Sequence, residues 1–340
     1  MRNERTYEDL RRELDALAAG IDGKEAASAN ALKAEAYRTA FWEGMHTGLP
    51  LNALKEGSDG AGGYLVPDTY EETLAEALNE KNVLRQIGRT IQTTKKLDIP
   101  VAYGGGDAVW AREGEPFAFT DVEFGKVTID AHKLATSILV SDEMLEDGGI
   151  DLEAYLCKTF AERIGDAEER AFIRGTGGGM PLGLIQQAPV GATSRSEGKI
   201  DMDDMFSLMH SVKRPYRKNA VWVMSEDAYR LLRQIKASNG QNIWVDDMKE
   251  GEPKTLFGYP IYICKYLDKV APGSIPVMFG DFGFFWIGDR GKRVFKRLVE
   301  RFADRGQVAF IATERVDAKL VIPEAVKLLK ISGEPAETEE

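Results

Sequence analysis

DLEAYLCKTFAERIGDAEERAFIRGTGGGMPLG, residues 151–183, decides the fold. Asp151 stands where an N-cap belongs. Leu152, Leu156, Phe160, Ile164, Ala167 and Ala171 then recur three or four residues apart, which places them on one face of a helix. Lys158, Glu162, Asp166 and Glu169 take the opposite side, with Asp166 four residues ahead of Arg170 in the favourable order. About 23 residues at roughly 1.5 Å each make a rod of about 34 Å. Gly175 suits the left-handed turn that ends such a helix. An apolar stripe of this length needs an equally long partner, drawn from the rest of the chain and from neighbouring copies.

Outward from that helix, the chain of 340 residues has room for two domains, or for one large domain with an insertion. Hydrophobic residues at 43% and charged residues at 29% are globular proportions. A net charge of −11 argues against a nucleic-acid reader, although a local basic patch could still touch DNA. Cys157 and Cys264 are far apart and show no framework spacing, which suits free thiols in a reducing compartment. There is no apolar signal-peptide core and no apolar run of about 18 residues, so the expectation is a soluble protein made in the cytoplasm.

Toward the N-terminus, Tyr7, Leu10, Leu14, Leu17 and Ile21 fall on a heptad seam, and a second helical pattern from Ala26 to Met45 contains Phe41 and Trp42. This leader reads either as a solvated helix or as an association helix. GSDGAGG at 57–63 reads as a hinge. A helix is expected near Asp68–Asn79, with strands at Ile87–Thr94 and Leu97–Tyr103, a turn at Gly104–Gly106, and β pattern again from Phe124 to Val140. Between 98 and 136 this makes a long two-stranded arm, too poor in apolar faces to stand alone. Ser141 caps a short helix ahead of the long one.

Past Asp201 the rhythm becomes helix (DMDDMFSLMHSVKRPYR), buried strand (220–225), helix (EDAYRLLRQIKAS) and strand (YPIYICKYL), a compact α/β pattern over 201–279. β pattern returns at 276–290, near Arg293–Arg301, at QVAFIATERVDAKLVI and at Val326–Ile331, before an acidic tail at 333–340 expected to be disordered.

None of this composes an active site. The glycines of Gly175–Gly179 close a helix rather than open one, so they read as a flexible loop and not as a phosphate cradle. Gly125-Lys126 and Gly291-Lys292 lack the following Ser or Thr of a P-loop. His46, His132 and His210 form no ligand spacing. Glu168-Glu169 reads as a solvated helix face, and Lys213–Lys218 with Lys292–Arg301 as solvated faces or subunit salt bridges. Trp222, Trp244 and Trp286 read as core. No catalytic, cofactor-binding or metal residue is assigned, and no cofactor.

Six stretches, in order, resemble the tailed-bacteriophage major capsid proteins of the Hong Kong 97 type. They are Gly62–Pro67; Trp110–Gly114 with Lys133–Ser141; Ala171–Gly177 through Pro181–Gly183; Leu256–Pro260; Phe279–Phe282 with Ile287–Arg290; and Arg315–Lys319 with Pro323–Ala325. The resemblance covers roughly 57–331. It implies an α+β capsid fold with an N-terminal arm at 58–97 and an extended β-hairpin loop at 98–136. A peripheral domain would come from 137–200 and 280–316, with its spine helix at 151–173, and an α/β axial domain from 201–279 and 317–332. Residues 1–57 would be a short scaffolding segment, removed or retained, with Lys55–Ser58 as a guessed cleavage region.

The implied function is structural, not enzymatic. Copies would self-assemble into hexamers and pentamers of an icosahedral head shell around phage or prophage double-stranded DNA, assembled in the host bacterial cytoplasm. The implied partners are further copies of itself, a portal, a scaffold or maturation protease and decoration proteins. DNA would lie inside without sequence-specific contact, and no membrane is involved. Lys126 or Lys133 could serve as the lysine that some relatives join to a C-terminal asparagine. No asparagine follows Asn242, so non-covalent shells are expected. The alternative is an encapsulin-like compartment holding a cargo enzyme, which should lack a scaffolding leader. A nucleotide-binding enzyme built on 201–279 is the third reading.

Overall fold

The computed structural model describes residues 35–45, 58–59, 63–65, 68–103, 123–146, 151–236, 244 and 254–333. The heptad seam at 7–21, Gly104–Gly106, Trp110–Gly114, Asn242 and the tail at 334–340 lie outside them.

The long helix runs from Leu152 to Arg174. Asp151 caps it, its Oδ1 accepting from the amide of Ala154 at 3.0 Å. Two rows four residues apart are buried: Leu152, Leu156, Phe160, Ile164, Glu168 and Phe172, and beside them Cys157, Ala161, Gly165, Glu169 and Ile173. Ala167 and Ala171, expected on the stripe, are only half-buried. Each row keeps its spacing by accepting one glutamate instead.

By compactness the chain divides into two units. The first comprises Met1–Asn82, Lys133–Ala167 and Gly291–Arg315. In it, Val294–Leu298 pairs antiparallel with the first part of Gln307–Leu320, from Thr313 back to Ala309, and on its other side with Gly63–Leu65. Gly63–Leu65 in turn pairs with Ser58–Asp59, so Ser58, Asp59 and Gly63 of the expected hinge are paired strand residues, while 57 and 60–62 lie outside the described residues. Phe295, Val308, Phe310 and Ala312 from this sheet, Leu74 and Leu78 from the helix Asp68–Lys81, and Leu152 to Ile164 share one apolar cluster. Residues 35–45 are helical, and Ala40, Phe41, Trp42 and Met45 belong to the same cluster, so this part of the leader is core and not a solvated helix. Ser141 accepts from the amide of Met144 at 3.3 Å, as its capping role requires.

The second unit comprises Val83–His132, Glu168–Arg290 and Val316–Glu340. Its larger sheet has the order Val190–Glu197, Val326–Ser332, Val277–Gly280, Val221–Met224, Tyr259–Ile263, Thr255–Leu256. Both faces are buried, and the period of two sorts the side chains between them. Trp222, Met224, Val277, Phe279, Leu329 and Ile331 enter one cluster with the helices Met202–Ser211 and Glu226–Arg233. Val223, Met278, Val326 and Leu328 enter another with Phe172, Ile173 and Leu184. Register fixes the match: Phe279 lies opposite Trp222, and Val277 opposite both Met224 and Leu329. The edge strand Val190–Glu197 was not foreseen, because VGATSRSE carries no apolar alternation.

A second group of strands in this unit, Phe285–Arg290 between Arg89–Thr93 and Val316–Leu320, pairs parallel with the first and antiparallel with the second. A short helix, Val83–Ile87, precedes Arg89, so the strand expected at Ile87–Thr94 runs only from Arg89 to Thr93, and the helix itself falls on residues that carried no expectation up to Ile87.

Candidate functional site: the hairpin and its clamp

Leu97–Tyr103 and Glu123–Ile129 pair antiparallel from Leu97 opposite Ile129 to Tyr103 opposite Glu123, and among the described residues these two strands pair with nothing else. One face carries Leu97, Ile99, Val101, Val127 and Ile129; of these, only Val101 and Ile129, at the two ends, are buried. The other face is polar near the root, where it carries Asp98, Lys126 and Thr128. Lys126 Nζ lies 2.7 Å from Asp98 Oδ2, and the Thr128 hydroxyl donates to Asp98 Oδ1 at 2.7 Å. These contacts, Lys126 first, hold the Asp98 carboxyl below its usual pKa. Within the arm expected at 98–136 the described residues thus form a two-stranded hairpin with an apolar face left partly open to solvent, and 104–122 lie outside the described residues.

The strands Phe285–Arg290 and Val316–Leu320 anchor the root of that hairpin. Period two points Val316, Ala318 and Leu320, with Phe285 and Ile287, into the apolar cluster. Gly288 and Asp317, opposite each other in register, belong to the other face. There the amide of Asp130 donates to Asp317 Oδ2 at 2.9 Å, and Arg290 Nη2 reaches Asp130 Oδ1 at 3.1 Å. His132 Nε2 is 3.8 Å from Asp317 Oδ1. A Cβ at Gly288 would meet Ile129 Cγ2 at 2.6 Å, so only glycine lets the hairpin root settle on the strand.

Asp289 follows Phe285 and Ile287 inward, where a carboxylate needs a partner. Arg85, from the short helix Val83–Ile87, supplies it: Nη1 and Nη2 donate to Asp289 Oδ2 and Oδ1 at 3.1 and 2.9 Å. The same guanidinium donates from Nε and Nη2 to Glu168 Oε2 and Oε1 at 2.7 and 2.5 Å. Burial alone would lower the Arg85 pKa, but the Glu168 and Asp289 carboxylates outweigh it and raise that pKa well above its usual value. Glu169 accepts from the amide of Val83 at 3.1 Å, tying the start of the same short helix to the long one. Glu168 and Glu169 are 1% and 3% exposed, which overturns their reading as a solvated face. The signal was available: both lie on the buried four-residue rows of the long helix.

The other basic residues divide. Arg293 is buried, with Nε 2.8 Å from Glu314 Oε2 of the same chain, where a solvated face or a subunit salt bridge was expected. Lys213 forms an exposed pair with Glu324 at 2.5 Å, and Arg217 donates to the carbonyls of Val212 and His210. Trp222 and Trp244 are buried as expected, whereas Trp286 is half-buried, with Arg89 4.5 Å over its ring.

The glycine motifs resolve into close approaches. Gly175 is not left-handed: its Cβ would strike the Pro181 carbonyl at 2.0 Å, and its own carbonyl accepts from Gly183 N at 2.8 Å. The left-handed positions are Gly177 and Gly179. A Cβ at Gly280 would meet the Ala325 carbonyl at 2.1 Å, so two motifs distant in sequence touch. Among the described residues no group of three or more His, Cys, Asp or Glu could hold a metal ion, and no helix is long and apolar enough to cross a membrane.

With its long helix, two-stranded hairpin and mixed six-stranded sheet, the chain has an α+β fold that matches capsid structures of the Hong Kong 97 type. A model of the phage capsid family matches residues 62–331, and the chain belongs to that family. It is 23% identical over 214 residues to the major capsid protein of Klebsiella oxytoca phage phiKO2, covering 59% of this chain and 49% of that one. The chain thus spans about half the length of that curated relative. The capsid of a native GTA particle is 28% identical over 74% of this chain and 90% of its own, with a TM-score of 0.66. Solved structures from Mycobacterium phage Adephagia and Gordonia phage Cozz, each 15% identical, share the fold with TM-scores of 0.57 and 0.55. They cover 75% and 84% of this chain, and 91% and 92% of their own.

Proposed function

We propose that this chain is a major capsid protein whose copies gather into hexamers and pentamers and close an icosahedral shell around phage or prophage DNA. The observation that carries this is the hairpin of Leu97–Tyr103 and Glu123–Ile129, which pairs only with itself among the described residues and leaves Leu97, Ile99 and Val127 half-exposed. A neighbouring copy covers that face, and burial of apolar area at roughly 25 cal/mol per Å², repeated over many copies, makes a rigid shell from modest contacts. In this reading 58–97 is an N-terminal arm, 98–136 the extended loop, 137–200 with 280–316 the peripheral domain, and 201–279 with 317–332 the axial domain. The role is structural rather than catalytic, the site of action is the virion capsid assembled in the host cytoplasm, and the shell is non-covalent. Portal, scaffold or protease, and decoration proteins complete the set of partners.

Electron microscopy of the purified protein tests this. Capsomers or closed shells are expected, and co-purified nucleic acid rather than a cargo enzyme separates the phage reading from an encapsulin-like compartment. A species that stays monomeric at every concentration and salt would overturn it, and ladders of linked subunits on a denaturing gel would overturn its non-covalent part.

A further inference from the structure

The family match begins at residue 62, yet the helix at residues 35–45 lies in the core of the first unit. Phe41 is fully buried, Met45 is 2% exposed, and both share a cluster with Leu74, Leu78, Leu156, Phe160 and Phe310. Phe41 also packs edge-on to Trp42 at 5.2 Å. At the rim, Arg38 Nη2 lies 2.9 Å from Glu153 Oε1, fixing the helix against the first turn of the long helix.

We propose that this helix is a non-covalent anchor: residues 1–45 remain attached to the first unit even when the connection between 46 and 57 is severed. The face that does this is apolar, continuous with the core, and made by residues four apart (Phe41 and Met45, with Ala36 and Ala40). Such a face holds by burial and does not need the peptide link. Residues 35–45 are thereby a resident part of the first unit, fixed beside Glu153. The proposal stands apart from the capsid reading, because it concerns how one chain holds its own segment.

The test replaces residues 50–56 of the full chain by the recognition sequence of a site-specific protease, cuts the folded protein, and follows both fragments through native gel filtration. Co-elution of the two fragments in equal amounts is expected. Departure of the N-terminal fragment from the wild-type sequence would overturn the proposal. Phe41→Ala in the same background should weaken retention by about a hundredfold, the effect of losing a fully buried aromatic side chain. If that variant does not fold, Met45→Ser is cut instead and release is again expected. Unchanged retention in the folded variant also counts against the anchor.

Discussion

Ile129 Cγ2 occupies the space where a side chain at position 288 would begin, 2.6 Å from the site of an ideal Cβ. The hairpin root and the strand beneath it are thus in contact at a point that tolerates only hydrogen. Ile129 is β-branched and cannot swing aside cheaply. Gly288→Ala is expected to cost about 1–3 kcal/mol by overpacking. Ile129→Ala in the same chain should recover part of the loss. Urea unfolding of the single and double variants checks this, and additive costs would contradict direct contact.

Arg85 serves two buried carboxylates at once, so its removal strands both. Arg85→Met is expected to cost about 3–5 kcal/mol. Replacing all three together, as Arg85→Met, Glu168→Leu and Asp289→Leu, should restore much of that, because a buried ion cluster gains little over packed apolar groups. A cost under about 1 kcal/mol for Arg85→Met in denaturant unfolding would mean that water, and not Arg85, solvates these carboxylates.

Cys264 is buried, and desolvation, followed by the nearby Glu169 charge, pushes its thiol up to about 12. Unfolded, it would ionise near 9.0. The folded state therefore keeps a proton that the unfolded state gives up. The stability this contributes is whole below pH 9.0 and drains away as pH rises toward about 12. Cys264→Ala should show a shallower alkaline loss of stability than the parent, compared by thermal unfolding across that range. Cys157 is buried as well, so neither thiol should react with a thiol reagent until the chain unfolds.

Shortening the hairpin separates assembly from folding. Replacing residues 99–127 by an Asn-Gly turn keeps the root pairs Leu97–Ile129 and Asp98–Thr128 and the clamp below them. Thermal unfolding should move little, while shells and capsomers should vanish from electron micrographs. Shells of normal size from this variant would remove the hairpin from the assembly interface.

The long helix, the α/β rhythm after Asp201 and the hairpin were legible because burial there follows simple periods. What escaped reading was charge in the interior. Glu168 and Glu169 sit on the same four-residue rows as Ile164 and Gly165, yet two adjacent glutamates look solvated unless Arg85, more than eighty positions earlier, is known to face them. The short helix Val83–Ile87 that delivers Arg85 is too brief for periodicity to mark. The buried face at Phe41 was visible as a helical pattern, but its partner surface is assembled from five separate segments. Gly175, Gly280 and Gly288 were noticed as letters of family motifs, and their reasons, contacts with Pro181, Ala325 and Ile129, exist only in three dimensions.

Asp289 and Arg290 are neighbours that face opposite ways, one toward Arg85 and one toward Asp130. A slip of Phe285–Arg290 by a single position would turn a cation toward the Arg85 guanidinium and push Phe285 and Ile287 out of their cluster. Misaligned pairing is therefore rejected twice, once by charge and once by hydrophobicity. The strand that seats the hairpin thus carries the check on its own alignment in its sequence.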